Sequence, residues 1–285
     1  MNALVVRRLQ VDLSRPPERH WNGGDAFRTA LFNALSFSFP AGEQFFIDAM
    51  RRVLDAASPD LRVRFEAETR GFIGQEATHR HVHQRFNAHL EAQGLVNRWD
   101  ARIRHRRTRI EQADPRVWLG ITAATEHFTA FLADHLLAHP EVLHGAEPRW
   151  RDLWLWHASE ESEHRAVAFD LYRAAGGDEP WRRRLFLAVT FTFVTDLTRQ
   201  TLNNLWQDGT WWRLSTWTSA WRVLFARGGL VRETHRAWAG YLREDFHPLQ
   251  VDVSAGTQWL AGHADQAPPV RASLSDASAA PGPVR

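Results

Sequence analysis

The sequence contains no cysteine and no lysine in its 285 residues. The first absence excludes a disulfide framework, a thiol nucleophile, an iron–sulfur cluster and cysteine-ligated zinc, so any bound metal must take nitrogen and oxygen ligands. The second excludes a Schiff-base lysine and a P-loop lysine, and it leaves all 35 basic residues as arginine. Excess charge is scarce too: the formal balance is only +2, which gives little support to nucleic-acid binding. Long hydrophobic runs are missing. The most apolar window, Leu185 to Val194, is about half the length needed to cross a bilayer and runs into Asp196 and Arg199. The amino-terminal stretch MNALVVRRLQVDLSRPPERH has neither the apolar core nor the cleavage site of a signal peptide, so a cytoplasmic location is expected. What remains is a globular composition, 44% hydrophobic and 24% charged, able to bury a sizeable core. Its unusual abundances are 15 histidines and 14 tryptophans.

Prolines placed just after capping residues punctuate the chain, and each precedes a stretch with helical apolar spacing. Ser38 stands before Pro40, Ser58 before Pro59, Asp114 before Pro115 and Asp178 before Pro180, while Gly94, Gly145, Gly176 and Gly209 fall where helices should stop. These signals predict helices over 40–57, 59–93, 96–113, 115–138, 148–175, 180–207 and 211–243. No alternating run is paired with a hairpin turn. The fold class is therefore all-α. An N-terminal arm is expected over 1–37, a helical bundle over 38–175, further helices packed on it over 178–250, and a disordered tail over 262–285, where small and polar residues prevail.

Four glutamates lie in segments that should be buried helices: Glu43, Glu76, Glu126 and Glu161. Ionised carboxylates in such places need partners. Two of them lead a Glu-x-x-His motif, Glu76–His79 and Glu161–His164, a spacing that puts both side chains on one helix face. A single such motif is weak, and a third, Glu141–His144, sits in a predicted connection between Pro140 and Gly145 where it would face no core. Specificity comes from register. The point midway between Glu43 and Glu76 falls on the predicted turn at Ser58-Pro59-Asp60, and that between Glu126 and Glu161 falls in the connection from Pro140 to Pro148. In antiparallel helix pairs this brings each lone glutamate level with a Glu-x-x-His. The 96–113 helix, about 27 Å long at 1.5 Å per residue, would supply the long crossover between the two hairpins. One glutamate from each of two helices and Glu-x-x-His from each of the other two is the ligand set of dinuclear carboxylate proteins of the ferritin-like class. Four carboxylates balance two divalent cations, and the oxygen and nitrogen donors suit iron or manganese.

The stretches FIGQEATHRHVHQRFN, TAATEHFTAFLADHLL and WHASEESEHRAVAFDLY, with FHP from residue 246, resemble the bacterial family labelled predicted metal-dependent hydrolases, of the ferritin-like superfamily, over roughly residues 20–250. The resemblance implies a ferritin-like four-helix bundle with a crossover helix and additional C-terminal helices, and a dinuclear centre at Glu43, Glu76, His79, Glu126, Glu161 and His164. The label implies hydrolysis, whereas ferritin-like architecture more often implies dioxygen chemistry.

The leading expectation is a di-iron enzyme that activates dioxygen to oxidise a small, largely apolar substrate beside Phe72, Phe128 and Phe131. Its cofactors are two divalent ions, iron first, with manganese or zinc as alternatives. Catalysis would depend on Glu76 and Glu161 in particular. The alternative is a metal-dependent hydrolase using a metal-bridging hydroxide; a further one is metal storage or a non-catalytic interaction bundle. His83, one turn beyond His79, and His157, one turn before Glu161, are candidates for a supporting role or an extra ligand, and Glu160 competes with Glu161. Expected partners are the small-molecule substrate and an electron donor, but no nucleic acid: the run from Arg102 to Arg107 reads more readily as a solvated helix face. Trp206, Trp211, Trp212, Trp217 and Trp221, interleaved with Arg213 and Arg222, are compatible with peripheral membrane contact or with a homodimer, against a default of ordinary packing on the bundle.

Overall fold

A computed structural model describes residues 4–270. Its helices, in chain order, are α1 (Ala26–Ala56), α2 (Pro59–Ala92), α3 (Trp99–Arg109), α4 (Pro115–Ala138), α5 (Pro148–His164), α6 (Val167–Ala174), α7 (Glu179–Gln207), α8 (Leu214–Phe225), α9 (Leu230–Gly240) and α10 (Ser254–Gly262). Among the described residues there is no strand, only isolated bridges between Arg7 and Pro269 and between Asn22 and Ala146. The chain is all-helical. The capping residues explain several boundaries: the side chains of Ser58, Asp114 and Asp178 accept backbone N–H groups at the starts of α2, α4 and α7, each with proline in the first turn.

Pro40 does not start a helix. It lies inside α1, which begins at Ala26 behind the cap Asp25, so residues 26–37 are helix and not arm. An internal proline deprives the carbonyl four residues earlier of its donor. That carbonyl, on Ser36, instead accepts Asn87 Nδ2 of α2 at 2.8 Å, and the next one, on Phe37, accepts Asn97 Nδ2 at 2.8 Å. The cost of the proline is thus offset by ties between helices. Three further boundaries differ from expectation. The 148–175 helix breaks after His164, where Arg165 turns to pair with Asp134 of α4. The 211–243 helix breaks at Gly228, whose φ of +79° favours glycine. The crossover helix α3 is shorter than expected and packs on α1 and α7. Of the expected disordered tail, residues 262–270 are placed, with Val270 N donating to Val6 O and Arg8 N to Pro268 O; residues 271–285 lie outside the described ones.

Helices α1, α2, α4 and α5 form the bundle, with α6 continuing α5. Its hydrophobic core is divided along the axis. One cluster holds Phe32, Phe37, Phe86, Trp150 and Leu153, and the other holds Phe45, Met50, Phe72, Trp118 and Tyr172. Glu43, Glu76 and Glu161 fall between these clusters in chain position on their helices, so apolar layers close both ends of a polar middle. Arg102 and Arg106 of α3 are not merely solvated: both pair with the buried Asp196 of α7. Tyr172, the bundle's lone tyrosine, is buried and donates its hydroxyl to the Asp178 carbonyl. The segment from residue 4 to α1 is ordered against the bundle, burying Leu9, Leu13 and Trp21. It lies flat on α2 because Gly71 and Gly74 have no side chain: a Cβ at either would overlap Leu4 or Val6. Gly74→Val should therefore cost about 1–3 kcal/mol and free the segment. The check is hydrogen exchange, which should rise at residues 5–10 while the amides of α2 stay protected; unchanged exchange would contradict the close-approach argument.

Candidate metal centre

The polar middle of the bundle gathers buried carboxylates and imidazoles from its four long helices. Glu43 comes from α1, Glu76 and His79 from α2, Glu126 from α4, and Glu161 and His164 from α5; all six are buried. Glu76, His79, Glu161 and His164 each offer a donor atom within 4.8 Å of the others, and Glu43, His79 and His157 form a second such group. His164 Nε2 lies 3.3 Å from Glu76 Oε1 and 3.7 Å from Glu161 Oε1, while its Nδ1 lies 2.9 Å from Glu126 Oε2. His79 Nδ1 is 3.6 Å from Glu161 Oε1. The three-residue spacing in α2 and α5 and the matched register of the two hairpins are what bring these groups together.

Buried polar atoms are normally paired, yet here the unpaired ones cluster. Both carboxylate oxygens of Glu43 and of Glu76, one each of Glu126 and Glu161, His79 Nδ1 and His164 Nε2 have no hydrogen-bond partner. Among the described residues no arginine pairs with any of the four core glutamates. A metal cation would satisfy oxygen and nitrogen lone pairs together, and the donor set fits divalent metal ions.

Supporting residues orient the donors. Glu160 points away from Glu161 and takes His79 Nε2 at 2.9 Å, which leaves Nδ1 turned inward. Arg7 Nη1 donates to Glu160 Oε1 at 3.2 Å, and its guanidinium also grips Glu163 at 2.7 and 3.0 Å. Gln75 Nε2 donates to Glu163 as well, at 2.8 Å. No local motif around Arg7 signals this role, because it depends on the N-terminal segment lying on Gly71 and Gly74.

His83 and His157 are linked in a chain whose proton positions can be worked out. Asn87 donates to the Ser36 carbonyl, so its Oδ1 must accept the Ser36 hydroxyl proton, at 2.6 Å. Ser36 Oγ then accepts from His83 Nδ1 at 2.8 Å. Neutral His83 therefore presents a lone pair at Nε2, which accepts from His157 Nδ1 at 2.7 Å. The remaining lone pair of a neutral His157, on Nε2, faces Glu161 Oε1 at 2.9 Å and Glu43 Oε1 at 3.9 Å. Two lone pairs facing each other require a cation or a proton between them. The geometry makes His157 a ligand candidate and His83 its support, a ranking that spacing along one helix could not give.

Other candidates fall elsewhere. Glu141 is exposed in a 3-10 turn beside His139, remote in character from the buried cluster. His127 is buried among Phe131, Phe186, Tyr241 and Phe246 and bonds the Ala237 carbonyl, which is a packing role. Phe72 packs on His164 with ring centroids 5.0 Å apart. His247 of the FHP motif bonds Asp170 at 2.7 Å.

Electrostatics follow from dense negative charge in a dry place. Burial and neighbouring carboxylates push Glu43 and Glu76 well above the usual carboxyl range, and burial pushes Glu126 up to about 7 despite His164. Burial likewise raises Glu160 to about 8 against the pull of Arg7. Glu161 moves down to about 2, because His164 and His157 outweigh its desolvation. His164, drawn by Glu126 and Glu161 against its burial, rises to about 9. Burial holds His79 and His83 well below the histidine range.

A family described as predicted metal-dependent hydrolase matches residues 5–252, a span that includes Arg7 and every residue of the cluster. No curated protein and no solved structure matches the chain.

Two outcomes follow from the geometry. Glu160→Gln and His157→Ala should each weaken divalent-metal binding about 10–100-fold with helical content retained, as read by isothermal titration; His83→Ala should do less than His157→Ala, and the reverse order would contradict the proton assignment. The second concerns pH. Groups raised in the folded state, among them Glu126, Glu160 and His164, hold protons that the unfolded chain has released, so their stabilisation is lost as pH rises. The lowered histidines act oppositely, but only below their unfolded value of 6.5. Metal-free protein should thus lose thermal stability between pH 6.5 and about 9, and added divalent metal should raise the melting temperature most at the alkaline end. A metal-free midpoint that rises across that window would contradict the assignment.

Proposed function

The chain belongs to the family of predicted metal-dependent hydrolases, and from that premise we propose that this metal-dependent enzyme hydrolyses a substrate with a largely apolar body, at a pair of divalent ions held by Glu43, Glu76, His79, Glu126, Glu161 and His164, with His157 as a further ligand. The observation that carries the reading is the set of partnerless buried oxygen and nitrogen atoms in the middle of the bundle. Ions bound there would supply Lewis acidity, activating water and polarising the scissile group.

The protein's own residues have separable tasks. Glu160 and the Arg7 clamp hold His79 in one tautomer, and Ser36, Asn87 and His83 do the same for His157. Phe39, packed 4.6 Å from both His83 and His157 by ring centroids, and Trp154 exclude bulk water. Glu161 and His157 reach an apolar cavity walled by Phe32, Leu35 and Leu136, and a substrate's reacting group would meet the centre there. The expected flanking rings are only partly the ones that matter: Phe128 and Phe131 line a second, outer cavity, and Phe72 packs on His164.

Oxidation with dioxygen at a di-iron centre is the second reading. It is favoured by the carboxylate-rich, sulfur-free donor set, which suits iron, and by the apolar cavity, which suits an unactivated substrate. One preparation separates the two. Metal-free protein loaded with zinc or manganese should hydrolyse apolar esters or amides, lose that activity to a chelator, and lose it in Glu76→Ala and Glu161→Ala. Iron loaded anaerobically and then exposed to air is followed in parallel by Mössbauer spectroscopy. Rapid formation of a coupled diferric species with no hydrolysis by any loaded form would overturn the hydrolase reading in favour of the oxidative one.

A further inference from the structure

The cavity that meets the centre at His157 and Glu161, about 80 Å³, has a second cavity beside it. Leu31, Leu132, Phe193 and Leu230 wall it and also wall a larger cavity of about 650 Å³. The two cavities thus adjoin across these side chains, one at the buried carboxylates and the other nearer the outside, between α1, α4, α7, α8 and α9. Among the described residues Glu161 is the one carboxylate that lines either cavity and no arginine does; the other polar lining is His135, His157, His235 and threonines. Lined mostly by apolar side chains, the space fits a hydrocarbon better than a charged ligand.

The outer cavity reaches the surface at Trp217, Trp221, Phe225 and Val231, which are 44%, 66%, 45% and 46% exposed. The surrounding face is also apolar: Phe191 and Trp206 of α7 and Leu214 of α8 are 73%, 65% and 78% exposed. Ordinary packing on the bundle does not cover these side chains. Arg199, Arg213, Arg222, Arg227, Arg232 and Arg236 are exposed in the same stretch. None forms an ion pair among the described residues, and Glu233 is the sole acidic residue between Leu214 and Gly240. Indoles mixed with free guanidinium groups match a lipid interface, and the charge matches anionic headgroups. A second copy placed here by two-fold symmetry would bring like-charged arginines together. No helix among the described residues is long and apolar enough to cross a membrane, so the contact is with the surface.

We propose that the substrate carries a long unbranched hydrocarbon chain, that it is drawn from an anionic membrane surface on which α7, α8 and α9 rest, and that its chain occupies the two cavities with its reacting group at His157 and Glu161. This names the substrate class for the site described above and rests on that reading for the chemistry alone. Chain binding and membrane contact need no metal and are tested without turnover. The full-length protein, metal-free and metal-loaded, is titrated with cis-parinaric acid and floated with vesicles of phosphatidylcholine, with and without phosphatidylglycerol. Saturable binding and flotation only with the anionic vesicles are expected. Leu132→Trp, which fills the shared wall, should weaken parinarate binding roughly tenfold or more with flotation unchanged; the pair Arg222→Glu and Arg232→Glu should abolish flotation with parinarate binding unchanged.

Should Leu132→Trp not fold, a diazirine-bearing fatty acid keeps the question open to test in the unaltered protein. Cross-links at Leu31, Leu132 or Phe193 support that placement of the chain, and cross-links confined to α8 and α9 overturn it. Absence of flotation, or a discrete dimer formed through the α8 face, overturns the membrane assignment. Hydrolysis of short esters without parinarate binding defeats this inference and leaves the functional reading standing; parinarate binding without hydrolysis of any ester does the opposite.

Discussion

Four carboxylates meet in the dry middle of a helical bundle with no arginine paired to any of them among the described residues, and the chain has no lysine to offer. An unpaired buried carboxylate either takes up a proton or finds a cation. Everything else near the centre serves that demand. Apolar layers on both sides keep water out and so raise the cost of leaving the charge unmet. Second carboxylates and hydroxyls turn the histidines so that their free lone pairs face the same place. Divalent ions held there would convert that electrostatic penalty into a specific interaction.

The supporting structure is built from ordinary elements placed with unusual economy. Pro40 costs α1 a hydrogen bond, and the released Ser36 carbonyl becomes the anchor that orients Asn87, then His83, then His157. Gly71 and Gly74 remove two side chains from α2, and the space admits the segment that carries Arg7 to Glu160. The break after His164 lets Arg165 reach Asp134 of the neighbouring helix. The departures at Pro40, Gly71 and Gly74 thus correspond to ties that support a histidine of the centre.

Much of this was legible in the sequence. The all-helical class followed from caps, prolines and apolar spacing, and the capped starts of α2, α4 and α7 fall where Ser58, Asp114 and Asp178 placed them. That Glu43, Glu76, His79, Glu126, Glu161 and His164 come together in the buried middle was readable because hairpin register and a three-residue spacing are both one-dimensional signals. What was not legible depends on contact across the fold. Pro40 read as a helix start because its compensation comes from Asn87, on another helix. His83 and His157 could not be told apart because the tautomer of His157 is set through His83 from Ser36, across helices. Arg7 carried no signal at all, since its partner lies on α5 and its path is fixed by glycines on α2. The solvated reading of Arg102 and Arg106 missed Asp196 for the same reason. Trp217 and Trp221 kept several meanings in the sequence, because the cavity behind them is formed by side chains of α1, α4, α7, α8 and α9 together.

The central claim is that the partnerless donors form one metal centre. The direct measurement is anomalous X-ray diffraction from crystals of the chain grown with manganese or iron, collected at the metal edge. The account predicts anomalous peaks among Glu43, Glu76, Glu126, Glu161, His79 and His164, with His157 turned toward them and Glu160 still on His79. Peaks only at surface histidines, or a centre without any, would contradict it.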